Sequence, residues 1–267
     1  LRIGSNTQAN LALRNLYRVN NKVAMHQERL STGKRINSAK DDAAGFALAA
    51  SLKERLSGMK IAKQNIQNAQ SVLSIVEAGQ QKSIELLQNM REKMLRVQDS
   101  TLTSDQRQSL LDQLTELKSE LTDIYNSVKW NSSSTLADTT VTFQVGEESG
   151  DTFAVSASMV QGSDFAAFAS TSATASSTDI TAIDSQIDNA ISFAQNTGSK
   201  IGRLSNKYDS MTTRIATTES VRSTIEDADF AEEQMELIKA QIMQQTATAA
   251  LSQANTAPQI VLQLFQS

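Results

Sequence analysis

The only histidine among the 267 residues is His26. A lone imidazole could ligate a metal or titrate near neutral pH, but it lacks the partners either role requires, and it is expected at a surface or interface. There are no cysteines, which excludes disulfides, thiol catalysis and Cys-based zinc sites. Asp41–Asp42 could hold a cation, although adjacent carboxylates at the head of a helix also complement its dipole. Glu147–Glu148 stands between Gly146 and Gly150 in what reads as a loop. A Ser/His/Asp constellation, the HExxH pattern and paired phosphate-binding glycines are all missing. Asn131–Ser132–Ser133 fits the short N-glycosylation pattern, and the Ser/Thr-rich stretch 131–178 offers positions for O-linked sugars. The residues therefore point away from an enzyme, with no cofactor and no metal expected.

Charge carries more information. Residues 1–40 hold Arg2, Arg14, Arg18, Lys22, Arg29, Lys34, Arg35 and Lys40 against Glu28 alone. Residues 223–267 hold Glu226, Asp227, Asp229, Glu232, Glu233 and Glu236 against Lys239 alone. A basic arm can bind nucleic acid. Here the far end of the chain supplies the opposite sign, so mutual pairing of the two ends is the better reading and no nucleic-acid partner is expected. No run of about 18 apolar residues is available to span a membrane, and the first residues lack the pattern of a secretory signal.

These groups need elements to hold them, and the sequence supplies heptads. Leu52, Met59, Ile66, Leu73, Gln80, Leu87 and Met94 form one column; Arg55, Ala62, Ala69, Val76, Ser83, Met90 and Val97 form the other. Two apolar columns at this spacing are the seam of a coiled coil. No proline interrupts the stretch from Asp41 to about Gln98, which as a helix would be a rod of roughly 85 Å. It cannot bury its seam on itself. A second helix is expected from Ser104, as N-cap, to Val128, with Leu110, Leu114, Leu117, Leu121 and Ile124 on one face. A third is expected from Asp179, with Ile183, Ala190, Thr197, Leu204 and Met211 in one column and Ile187, Ala194, Ile201, Tyr208 and Ile215 in the other.

The ends are helical as well. Residues 5–32 carry Leu16, Val23 and Leu30 in sevens beside the more polar Leu13, Asn20 and Gln27, a seam too thin to stand alone. Gly33 ends this helix, and Ser38–Asp41 has capping-box spacing for the long one. Ser223–Glu226 has the same spacing before a last helix bearing Phe230, Leu237, Ile238, Ile242 and Leu251, with Pro258 near its end. In between, Val141–Val145 and Thr152–Val155 alternate around Gly146–Gly150 and predict a β-hairpin, followed by an exposed loop over Ser170–Thr178. The fold expected is mainly α: a long antiparallel coiled-coil rod of three helices, paired terminal helices and a small β-hairpin insertion. The boundaries fall at 1–40, 41–130, 131–178, 179–222 and 223–267.

Three motifs then carry a resemblance. The run from Leu30 to Gly45, Leu-Ser-Thr-Gly-Lys-Arg-Ile-Asn-Ser-Ala-Lys-Asp-Asp-Ala-Ala-Gly, resembles the N-terminal signature of bacterial flagellin. Ile225–Ala231 resembles the C-terminal counterpart, and Ala254–Asn255, Pro258, Val261–Leu262 and Leu264 resemble the closing motif. The likeness covers residues 1–130 and 180–267. It implies a homopolymeric filament subunit exported by the flagellar type III apparatus, with an export chaperone and with junction and cap proteins as partners. It also implies terminal arms that fold together as an inner tube, a rod that forms the surrounding shell, and a secreted, extracellular location or a periplasmic one. Leu13, Leu16, Val23, Leu30, Lys34, Arg35, Ile238, Ile242, Leu251, Val261, Leu262 and Leu264 are the expected assembly residues of the arms.

Two departures qualify the resemblance. The middle is much reduced. And where relatives detected by a Toll-like receptor carry Gln-Arg-Val-Arg-Glu-Leu, this chain reads Gln88–Asn89–Met90–Arg91–Glu92–Lys93. Arg91 and Glu92 remain a weak receptor candidate, equally readable as rod packing, while Asn89 and Lys93 count against recognition. The nearest rival is the hook–filament junction protein, whose signature typically carries prolines near the Asp-Asp pair. A protease insertion would need zinc ligands in the middle, where residues 131–178 contain no His or Cys.

Overall fold

Heptads this long leave the backbone little choice but helix. The computed structural model describes residues 6–130, 140–165 and 177–266, without the side chains of 177–178 and 257–266. The chain is mainly α: α1 (Thr7–Thr32), α2 (Ala43–Val97), α3 (Ser104–Ser127), α4 (Ser177–Glu226) and α5 (Phe230–Gln266), with β1 (Thr140–Gln144) and β2 (Thr152–Ser156) as one antiparallel hairpin. The glycosylation pattern at Asn131 lies outside the described residues, as does the expected loop up to residue 176; Ser177 and Thr178 already belong to α4. The chain divides into two compact units, Leu1–Leu56 with Ala216–Ser267, and Ser57–Ile215.

The second unit is built on the seam of α2. Met59, Ile66, Leu73, Leu87 and Met94 are fully or almost fully buried, as are Ala62, Ala69, Val76, Met90 and Val97. From α4, Ile183, Ala190, Leu204 and Met211 face them. α3 adds Leu114 and Leu121, and a short 3-10 turn at Gly162–Phe165 closes that end with Phe165 buried and its carbonyl held by the Lys118 ammonium at 2.9 Å. Farther along α2 and α4 the hairpin takes the third place. Phe153 and Val155 are buried; Asn65 Nδ2 donates to the Gln144 carbonyl, Lys200 Nζ to the Ser156 carbonyl and hydroxyl, and Arg214 to Glu147 at 2.8 Å. The Arg203 guanidinium lies over the Phe153 ring. The hairpin is thus stapled to α4 by three cations, and burial holds the Lys200 ammonium below its ordinary pKa, with neighbouring Arg203 adding to the effect.

Three buried polar residues interrupt this seam, Gln80 and Ser83 on α2 and Thr197 on α4. The cross-helix bonds from Arg91 Nε to Asp184 Oδ1 (2.5 Å) and from Gln67 to Tyr208 (3.4 Å) set the antiparallel register and put Gln80 at the level of Thr197. Gln80 Nε2 donates to the Ser158 carbonyl at 3.0 Å, while its buried Oε1 has no hydrogen-bond partner among the described residues.

Several expectations about ends and columns are corrected. Arg55 is exposed, and Leu56 is buried instead. The buried positions Leu56, Met59 and Ala62 follow two successive steps of three, which overwinds the seam locally and shifts its column. Thr103, not Ser104, caps α3, because its side chain and that of Gln106 form a reciprocal capping box. Ser38–Asp41 does not start α2. The Asp41 carboxylate turns back to accept from the amides of Asn37 and Ser38 and from the Ser38 hydroxyl, whereas Asp42 accepts from the amides of Ala44 and Gly45 at the head of the helix. Likewise Ser223–Glu226 continues α4, and Asp229 caps α5 through the amides of Ala231 and Glu232.

Candidate functional site

In the first unit α1 and α5 pair antiparallel. Asn6 Nδ2 donates to the Ala254 carbonyl at 2.8 Å, Gln244 Nε2 to Asn20 Oδ1 at 2.8 Å, and His26 meets Glu233 at the other end. Leu16, Val23 and Leu30 are half-buried in this contact, and Leu251 is half-buried on α5. His26, expected on a surface or interface, is buried inside the pair, its Nδ1 2.5 Å from Glu233 Oε2, and Arg29 donates to the other carboxylate oxygen at 3.0 Å. Burial pushes the Glu233 carboxyl up, but the hydrogen bonds from His26 and Arg29 and the Arg29 charge outweigh it, so the carboxyl lies below its ordinary range.

The two linkers cross at the same end. Gly33 adopts φ +71, a left-handed conformation natural to glycine, and its amide caps α1 on the Arg29 carbonyl. Its own carbonyl accepts from the Ala228 amide at 3.0 Å, and the Arg35 amide donates to the Glu226 carbonyl at 2.7 Å. Lys34 Nζ and Arg222 both reach the Glu226 carboxylate, and Arg35 donates to the Ile225 carbonyl at 2.9 Å. The opposed charges of the chain ends therefore pair inside one subunit. The two motifs flanking Gly33 and Glu226 are halves of one crossing.

The outward side of the pair is different. Ile238 and Ile242, expected as assembly residues, are about half exposed rather than packed on α1, and Leu13 is 38% exposed. Leu11, Tyr17 and Met235 are exposed as well, Met235 at 65% and Tyr17 at 62%. The sequence reading missed these three. Met235–Ile238–Ile242 and Leu13–Tyr17 share the spacings of three and four that mark one helix face, so the signal was there. The side chains of Pro258, Val261, Leu262 and Leu264 lie outside the described residues.

Elsewhere the candidate groups have structural work. Asp41 and Asp42 are spent on backbone amides, and the bonds from Ser38 and Asn37 hold the Asp41 carboxyl below its ordinary pKa. Arg91 ties α2 to α4 through Asp184, which raises its pKa, and Glu92 accepts from Arg96 at 2.6 Å. Among the described residues no three His, Cys, Asp or Glu side chains group to hold a metal, and no helix is long and apolar enough to cross a membrane.

Comparison with known proteins agrees with this anatomy. Residues 3–142 match the family model of the bacterial flagellin N-terminal helical region, and residues 180–265 that of the C-terminal helical region. A flagellin of Halalkalibacterium halodurans is 31% identical over 248 residues, covering 90% of each chain. A flagellin of Bacillus subtilis is 27% identical over 305 residues and the full length of both. Among solved structures, a putative flagellar hook-associated protein from Vibrio parahaemolyticus superposes with a TM-score of 0.59 at 16% identity, over 70% of this chain and all of that one, which is a likeness of fold alone.

Proposed function

The chain belongs to the bacterial flagellin family, and we propose on that premise how it serves as the structural subunit of a flagellar filament. Arms 1–40 and 223–267 form an inner tube, segments 41–130 and 179–222 form the rod of the surrounding shell, and 131–178 is the reduced middle. The observation that supports this reading is the outward apolar face of α1 and α5, with Tyr17, Met235, Ile238 and Ile242 open to solvent in a single copy. Apolar side chains exposed on both helices of so thin a pair are covered in a stable assembly. Neighbouring copies cover it, and the thin α1–α5 seam gains its full order only as they do. Leu13, Leu16, Val23, Leu30, Leu251, Val261, Leu262 and Leu264 contribute the remaining apolar contacts, and Lys34 and Arg35 hold the crossing. The subunit is secreted, extracellular or periplasmic, with junction and cap proteins and an export chaperone as further partners.

Seeded growth followed by negative-stain electron microscopy tests this. The parent chain is expected to give long uniform tubes. Ile238→Asp with Ile242→Asp should give none while keeping the subunit's helicity, because both side chains are exposed before assembly. Tubes from that variant at the parental rate would overturn the reading.

A further inference from the structure

Within the first unit a groove of about 500 Å³ opens between the turn after α1 and the start of α2. Buried Ile36 and Ala49 line it together with Phe46 and Ala50, and Lys34 and Lys53 stand among its lining residues. Lys34 is committed to Glu226, whereas Lys53 has no ion-pair partner among the described residues. An apolar groove with a spare cation suits an aromatic side chain accompanied by a carboxylate.

The protein presents four exposed aromatic side chains among its described residues, Tyr17, Phe46, Trp130 and Phe230. Phe46 belongs to the groove. Tyr17 lies between Arg14 and Arg18, and Trp130 follows Lys129, so both would bring like charge to Lys53. Phe230 alone is flanked by acids, Asp229 and Glu232, and it is 60% exposed. The Asp229 carboxylate already caps α5, which leaves Glu232 as the free partner. In its own copy Phe230 does not line the groove; its ring sits against Gly33, where an added Cβ would be 3.8 Å from Cε2.

We propose that this groove receives Phe230 of a second copy, whose Glu232 meets Lys53. A knob and a hole at different places on one surface make a head-to-tail contact, the kind that continues into an open-ended helix instead of closing a ring. The proposal rests on the filament reading and adds a specific contact to it.

The absence of cysteine makes the test clean. Ala50→Cys and Ala231→Cys chains are grown together from seeds and treated with a short bis-maleimide. A covalent dimer is expected from the mixed filament and not from either variant alone. Adding Phe230→Ser to the Ala231→Cys chain should remove that dimer and raise the critical concentration about thirtyfold, the loss typical of a central aromatic anchor. Lys53→Glu should stop growth, and Glu232→Lys in the same chain should restore it. Tubes that form without the mixed dimer, or Lys53→Glu tubes growing at the parental rate, overturn the contact while leaving the filament reading intact, and would assign the groove to a different partner. A parent chain that forms no tubes overturns both.

Discussion

Replacing Glu233 by alanine should unlock α1 from α5. The carboxylate holds two cation-capable side chains of α1, His26 at 2.5 Å and Arg29 at 3.0 Å, and the side chains of His26 and Glu233 are each only 10% exposed. Removing one member of a buried pair costs about 3–5 kcal/mol, because its partners stay behind unpaired. Arg29 is 22% exposed and can recover some hydration, so the expected loss is about 2–3 kcal/mol, roughly thirty- to a hundred-and-fiftyfold in the opening equilibrium. Amide hydrogen exchange along α1 and α5 of sheared filaments reads this directly, as a fall in protection of that size. Glu236→Ala is the control: its pair with Lys239 is exposed on both sides and screened by solvent, so protection should stay at the parental level. The pH dependence carries a sign. A carboxyl held below its ordinary value of 4.5 contributes stability above that pH and loses it as pH falls through the folded value. The gap between parent and Glu233→Ala should therefore close in acid. Protection in Glu233→Ala within about threefold of parent at neutral pH, or a gap that persists unchanged at low pH, would refute the reasoning.

Two glycines of α2 should respond in opposite directions. A Cβ on Gly79 would lie 2.5 Å from Val128 Cγ2 and 3.0 Å from Met159 Cε, so Gly79→Ala should lose about 1–2 kcal/mol of thermal stability even after its gain in helix propensity. A Cβ on Gly58 meets only Glu147, at an ordinary 3.6 Å, so Gly58→Ala should gain about 0.5–1 kcal/mol in the same melt. Thr103→Ala breaks the reciprocal capping box of α3 and should cost about 1 kcal/mol by denaturant titration. Gly33→Ala forces a side chain into φ +71 and should weaken the linker crossing by about 1 kcal/mol, seen as faster exchange of the Ala228 amide.

The long elements were legible because a heptad carried through seven successive repeats outvotes any single residue: every member of the α2 columns from Met59 to Val97 is buried. What the period conceals is a change of phase, and Arg55 was assigned to a seam that Leu56 occupies. Helix starts were harder, since neighbouring acids and hydroxyls compete for the same amides. Asp42 prevailed over Ser38 and Asp229 over Ser223, each decided by a turn that no pattern specifies, whereas Thr103 prevailed over Ser104 through the capping-box spacing to Gln106, which the sequence does carry. At the candidate site, opposite charge at the two ends was readable, but not which pairs form: Glu233 with Arg29 and His26, and Glu226 with Lys34 and Arg222. The outward turn of Ile238 and Ile242 depends on how α5 rotates against α1, and Glu233 with Ala240, both buried, fixes that rotation.

The polar layer at Gln80 and Thr197 has a consequence for how such a helix pair finds its alignment. Apolar heptads are nearly interchangeable, so sliding α4 past α2 by seven residues would still bury a plausible set of methyl groups. Such a slip brings Ala190 or Leu204 to the level of Gln80 and carries Thr197 off to an apolar layer. The slip thus separates the two polar side chains and places each in an otherwise apolar layer, which disfavours it. Gln80 Oε1 has no hydrogen-bond partner among the described residues even in the correct alignment, a small sacrifice of stability in return for a polar layer that marks one register.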